Sequence, residues 1–147
     1  MITDIKIKLL NEFAKVPTHG SELAAGWDLY AANNYIIEIK PHETVKVDTG
    51  IAIEIPEDYF GAIYARSGLA TKQGLRPANC TGIIDADYRG PIIVALHNDT
   101  NYIQKIGINE RIAQIVIQPF LNINFNVVDE LSDTKRGDQG FGSTGKD

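Results

Sequence analysis

The strongest constraint on this chain is a two-residue alternation of apolar and polar side chains, broken at short intervals by glycine, proline and acidic turn residues. Ile5, Ile7 and Leu9 share one face of a stretch whose other face carries Lys6 and Lys8. That is the pattern of a half-buried strand. It returns at Tyr35 to Lys40, at Val45 to Val47 and at Ile51 to Ile55; Asp48-Thr49-Gly50 between the last two predicts a bend or bulge. Gly61 to Ala65, Ile92 to Leu96, Tyr102 to Ile108, Arg111 to Phe120 and Ile123 to Val128 are further candidate strands. Short strands at regular spacing favour a sandwich, jelly roll or barrel over alternating strand–helix units. Arg111 to Gln118 is apolar on both faces, which predicts burial from two sides, by a second sheet or another subunit. One short helix is predicted, with Ser67 as N-cap, Leu69 to Gln73 as its body and Gly74 as its stop. From about Asp129 the alternation fades, which predicts a flexible C-terminal arm; no linker or repeat divides the chain before it.

Composition narrows the function classes. The 147 residues make about one domain, large enough to bury its own core. Fourteen Lys and Arg against nineteen Asp and Glu leave a net charge of −5, which argues against a general nucleic-acid binder. A small anion held by a few placed cations remains compatible with that balance. The single cysteine, Cys80, excludes an intrachain disulfide and a cysteine-rich zinc site, and reads as a small buried hydrophobe. His19, His42 and His97 lack metal-ligand spacing. No apolar run approaches the ~20 residues of a membrane span, and the first residues alternate instead of forming a signal sequence. A cytoplasmic protein with no membrane partner is expected.

Four polar clusters need a reason. Ala65-Arg66-Ser67-Gly68-Leu69-Ala70 opens the short helix, where free N–H groups, a guanidinium and a hydroxyl suit an anion; taken alone, it reads as an ordinary helix start with a surface arginine. Asn79 to Pro91 resembles a β-hairpin with a polar tip, Asp85-Ala86-Asp87-Tyr88-Arg89-Gly90. Asp85 follows Ile83-Ile84 at the end of an expected buried strand, where desolvation can tune a general base. Turn chemistry accounts for Asp87 and Gly90 equally well, but less well for Tyr88 and Asn79. Asp28, between Trp27 and Tyr30, is either a solvated loop acid or a carboxylate placed for a cation. The tail gathers four of the 13 glycines into its last eleven residues, with Phe141, Ser143 and Thr144 among them and Arg136 just before. Gly140 to Lys146 matches the first seven positions of a Walker A loop, but Asp147 replaces the hydroxyl residue and no strand leads into it. Arg136-Gly137-Asp138 spells a cell-adhesion tripeptide, which carries little weight without a signal peptide. The alternatives are a plain soluble tail or a mobile backbone that folds over a ligand, with Phe141 stacking on a base and Arg136, Ser143 and Thr144 gripping phosphate.

With these residues in hand, the chain closely resembles the trimeric dUTPases. Five family motifs occur in order: Ala25 to Ala32, Arg66 to Ala70, Gly82 to Gly90, Arg111 to Gln114 and Arg136 to Gly145. The resemblance implies an all-β, distorted jelly-roll or β-clip-like barrel with one short helix. It also implies a core over residues 1–130, an arm over 131–147 carrying the fifth motif, and assembly as a homotrimer. It implies Mg²⁺-dependent hydrolysis of dUTP to dUMP and pyrophosphate by water attack on the α-phosphorus. That reaction keeps uracil out of DNA and supplies dUMP for thymidylate synthesis.

Carried over residue by residue, Asp85 would be the general base and Tyr88 would pack under the sugar. Asn79, Gly82, Ile83, Ile84 and Ile93 would read uracil. Arg66, Ser67, Gly68 and Gln114 would bind phosphate, and Asp28 would hold waters of the magnesium ion. Phe141 would stack on uracil while Arg136, Gly142, Ser143 and Thr144 close over the γ-phosphate. Each site would be shared among subunits. Departures from the family pattern are Ala65 for proline, Trp27 for tyrosine or leucine, and Arg76-Pro77-Ala78 before Asn79. The nearest enzyme alternative is a dCTP deaminase, against which the complete tail argues; a non-catalytic trimeric protein of the same fold is the other.

Overall fold

The computed structural model describes residues 4–142. Among them are eleven strands and one helix: β1 (Lys6–Leu9), β2 (Trp27–Tyr30), β3 (Ile37–Ile39), β4 (Thr44–Asp48), β5 (Ile51–Glu54), β6 (Tyr59–Tyr64), α1 (Ser67–Gln73), β7 (Leu75–Pro77), β8 (Gly82–Ile84), β9 (Ile93–Asn98), β10 (Gln104–Ile106) and β11 (Arg111–Pro119). The ladders are antiparallel and build sheets of order β2-β11-β6-β8, β4-β9-β7, β1-β5 and β10-β3. This is the expected distorted jelly roll, with its barrel not closed. Leu29, Ile39, Ile51, Leu75, Ile92, Leu96, Ile106 and Ile112 are fully buried between the sheets. Buried Asn98 is satisfied throughout: its Nδ2 donates to the carbonyls of Ile39, Lys40 and Tyr102, and its Oδ1 accepts from Thr100. It pins the β9 end against the β3 end, as a buried amide must be paired to be tolerated.

The strand pattern holds where both partners lie in the chain. The bend at Asp48-Thr49-Gly50 is there, with Gly50 at φ 66, a left-handed conformation that suits glycine. β11 is interior to its sheet, with Ile112, Ala113 and Ile115 buried, while Val116 and Ile117 are only half-buried within one chain. Four expectations are corrected. Ile123 to Val128 is not a strand, because residues 121–142 are exposed and find no ladder partner within one chain. The helix starts one residue earlier than expected: Arg66, at φ −83 and ψ 132, is the N-cap, Ser67 is already helical, and Gly74 ends it at φ 64. Cys80 is exposed, in a left-handed turn at φ 60. Ile7 and Leu9, expected to face a core, stay exposed because β1 pairs with β5 alone.

Candidate functional site

The four-stranded sheet brings the sequence clusters together. Gln114 on β11 stands in register between Asp28 of β2 and Tyr64 of β6, and β6 runs straight into Ala65-Arg66. So segments more than 80 residues apart meet along one row of a sheet. Arg66 donates from Nε to Asp28 Oδ1 at 2.9 Å, and Arg111 donates from Nη1 to Asp28 Oδ2 at 3.3 Å. One largely buried carboxylate thus lies between two guanidinium groups, and the cluster keeps a net positive charge. Gln114 Nε2 donates to the Ala65 carbonyl at 2.9 Å, and its Oε1 lies where a Cβ at Gly26 would stand. A side chain at 26 would displace the Gln114 amide from this position.

These groups wall a cleft of about 430 Å³ formed by Gly26, Asp28, Arg66, Ser67, Gly68 and Gln114 with neighbouring residues. Ser67 and Gly68 are exposed at the start of α1, and the Ser67 hydroxyl does not cap the helix. A Cβ at Gly68 would meet nothing within 4 Å. The protein's own packing therefore places no demand for glycine at 68, whereas a ligand approaching the backbone would.

The second cleft lies at the far edge of the same sheet. β8 pairs with β6 through Gly61–Ile84, Ala62–Ile83 and Ile63–Gly82 and leaves its other edge unpaired. The expected hairpin is not a ladder: β8 belongs to one sheet and β9 to another, and the chain between them crosses the gap. Ile83, Ile84, Asp85, Tyr88, Pro91 and Ile93 line a cleft of about 180 Å³ between the two strands. The outer edge of β8 is therefore left without a strand partner, whereas β9 is paired with β4 and β7. Tyr88 is fixed by its hydroxyl donating to the Pro91 carbonyl at 2.9 Å, and its N–H donates to the Asp85 carbonyl at 3.1 Å. Gly90 permits this, since a Cβ there would stand 2.5 Å from the Tyr88 hydroxyl.

Asp85 also lines a larger apolar cleft of about 580 Å³ with Phe60, Ile83 and Phe120. The strand end is not buried as expected: Ile83 is 56% exposed and Asp85 is exposed, because nothing in the same chain covers this edge of β8. Asn79 lies just before β8, its Nδ2 3.3 Å from where a Cβ at Gly82 would stand.

The remaining predicted residues are not brought to either cleft. Phe141 is fully exposed, and Arg136 donates to the Gln139 carbonyl within its own turn. Gly142 is exposed at φ 79; Ser143 and Thr144 lie outside the described residues. The arginine-bearing and tyrosine-bearing clefts share no lining residue. Arg111 is a residue sequence reasoning did not single out for a role; its signal was an arginine opening a strand three positions before Gln114.

Among the described residues no group of three or more His, Cys, Asp or Glu could hold a metal ion. Asp28 is the acidic group in the arginine-bearing cleft. This donor set does not make a protein cage for a cation. It would fit Mg²⁺ only as a hydrated ion met by Asp28 through water, since that ion takes one or two carboxylates and keeps several waters. No helix of the described residues is long and apolar enough to cross a membrane.

The fold and its clefts define a jelly-roll protein with an arginine-bearing cleft in one place and a carboxylate beside a tyrosine in another. Residues 12–145 match the sequence profile of the dUTPase family. A deoxyuridine 5'-triphosphate nucleotidohydrolase of Nautilia profundicola is 48% identical over 142 residues, spanning 97% of this chain and 99% of that protein. One from Haemophilus influenzae is 42% identical over 147 residues, with 97% of each covered. The structure of Staphylococcus bacteriophage 80alpha dUTPase with dUPNHPP superposes with a TM-score of 0.91 at 30% identity, covering 99% of this chain and 100% of that one. The chain belongs to the dUTPase family.

Proposed function

We propose that this chain hydrolyses dUTP to dUMP and pyrophosphate, as its relatives' names and family membership support, and that it does so as a homotrimer whose subunits each supply part of every site. The observation that carries the second half is the separation of the two clefts: the cationic grip and the Asp85–Tyr88 cleft share no residue within one chain. Exposed Leu121, Ile123, Phe125 and Val127, alternating beyond β11, support a tail that leaves its own protomer. The core is then residues 1–130, and 131–147 act as an arm that brings Arg136, Phe141, Gly142, Ser143 and Thr144 to a neighbour's site.

In this reading uracil enters between β8 and β9. Asn79 and the backbone of Gly82, Ile83 and Ile84 read its edge, with Ile93 opposite. The Tyr88 ring packs under the deoxyribose and leaves no room for a 2′-hydroxyl. Asp85 orients the attacking water and accepts its proton, while Arg66, Ser67, Gly68 and Gln114 hold the phosphates. Arg66 and Arg136 offset charge that develops on the phosphoryl oxygens. Asp28 would hold Mg²⁺ through water, and the ion, when bound, supplies positive charge to the triphosphate. Phe141 stacks on the base as the arm closes. The cytoplasmic nucleotide pool is its setting.

Pyrophosphate release from a panel of deoxynucleoside triphosphates tests the reading. Turnover of dUTP alone, lost in Asp85→Asn with nucleotide binding kept, is the expected result. Ammonia release from dCTP with no pyrophosphate from dUTP would overturn it, and an active Asp85→Asn would remove Asp85 as base.

A further inference from the structure

Arg76 lies outside every motif shared with the family, yet it makes the densest set of side-chain contacts near Asn79. Its guanidinium donates to both carboxylate oxygens of Asp99, Nε at 2.7 Å and Nη2 at 3.0 Å. Nη1 reaches the Pro77 carbonyl at 3.4 Å and the Cys80 sulfur at 3.1 Å. Asp99 is itself anchored, its N–H donating to the Gly74 carbonyl at 2.8 Å just beyond β9. One planar cation therefore ties the end of a core sheet to the turn running from Ala78 to Thr81.

That turn sits at the root of the cleft between β8 and β9. The Ala78 N–H donates to the Ala95 carbonyl of β9 at 2.7 Å, and β8 begins two residues after Cys80. Cys80 holds φ 60, a conformation unfavourable for any residue with a Cβ, so the turn needs outside support to keep it. Two local bonds close it, Cys80 N–H to Pro77 O at 3.1 Å and Thr81 N–H to Asn79 O at 2.7 Å. Both flank Asn79.

We infer that Arg76 is a positioning residue for nucleobase selection: clamped on Asp99, it holds the Asn79–Thr81 turn in the geometry that presents Asn79 to the base. This rests on the reading above that Asn79 contacts the base. The pair is partly exposed, 35% for Arg76 and 43% for Asp99. Exposed ion pairs add little to overall stability, so the clamp acts through geometry. The hydrogen bonds from the Arg76 guanidinium hold the Asp99 carboxyl below its ordinary range. A bidentate fork is what arginine offers and lysine does not.

The test uses the full-length protein with Arg76→Met, Arg76→Lys and Asp99→Asn. Arg76→Met should raise KM for dUTP about tenfold with kcat within about twofold, and lower the preference for dUTP over dCTP. Arg76→Lys should recover part of this, and Asp99→Asn, which keeps a neutral acceptor and the fold, should reproduce it in weaker form. Amide hydrogen exchange at Cys80 and Thr81 should accelerate while the melting temperature barely moves. Unchanged exchange at those two amides in both Arg76→Met and Asp99→Asn overturns the clamp. Faster exchange with unchanged KM and base preference overturns its role in selection. Failure of the unmodified protein to hydrolyse dUTP would sink the proposed function instead, and leave the exchange result to judge the clamp.

Discussion

Gly90→Ala tests how the sugar platform is built. The glycine's backbone needs no special conformation, so an alanine would fail there only for lack of space. A Cβ at 90 would stand 2.5 Å from the Tyr88 hydroxyl, 2.7 Å from Cζ and 3.0 Å from Cε2, far inside van der Waals contact. The ring must retreat by on the order of 1 Å, and a misplacement of that size at a reacting centre can cost about a hundredfold in rate. Tyr88 is 42% exposed and can move into solvent, so the loss of folding stability should stay below about 1 kcal/mol. The expected result is a fall in kcat/KM for dUTP between about tenfold and a hundredfold, equivalent to ~1.4 to 2.7 kcal/mol of barrier. The preference for dUTP over UTP should shrink with it, because the displaced ring no longer guards the 2′ position. Pyrophosphate release from dUTP and UTP, paired with thermal unfolding, measures both quantities. In a Tyr88→Ala background the same change should cost almost nothing more. An undiminished kcat/KM with the ribose preference intact would refute the platform argument, as would an equal loss in the two backgrounds.

Other changes probe different parts. Asp28→Asn removes the charge that sits between Arg66 and Arg111; the Mg²⁺ concentration for half-maximal turnover should rise about tenfold, and a Mg²⁺ titration indistinguishable from the unmodified protein would remove Asp28 from the metal's surroundings. Gly50→Ala meets both a φ of 66 and Cβ atoms of Ala32 and Ala14 at 2.8 and 2.9 Å. It should lose about 2 to 4 kcal/mol in urea unfolding. Deleting residues 136–147 should abolish most turnover while sedimentation still reports a trimer; full activity without them would make the tail merely a tail.

What could be read from the residues divides by the range of the interaction. Ile51, Val47 and Leu96 announce core strands because alternation is local and each finds a partner in the same chain. Ile123 to Val128 alternates just as well, but alternation says that one face wants burial and not what supplies it. β2 went unread because it is only four residues long, so Trp27 and Leu29 give too little alternation to mark a strand. The pairing of Asp28 with Arg66 and Arg111 joins residues 38 and 83 positions apart, which no periodicity encodes. Cys80 was misjudged because residue-type preference for burial lost to a turn that needs a left-handed residue in that place. The motif residues themselves were legible. Their division between two clefts came only with the resemblance and from no local pattern, since it follows from β8 and β9 joining different sheets.

That division has a thermodynamic corollary. Within one chain no ladder joins β8 to β9, so a nucleotide seated there would stitch two sheets together as an extra strand does. Ligand binding to the native state alone raises stability by RT ln(1 + [L]/Kd), about 2.7 kcal/mol at a hundredfold excess over Kd. At this seam the gain would be felt locally, above all as slowed opening of the edge strand β8. The nucleotide would then act as a structural member of the fold for as long as it is bound, and product release would amount to reopening the joint.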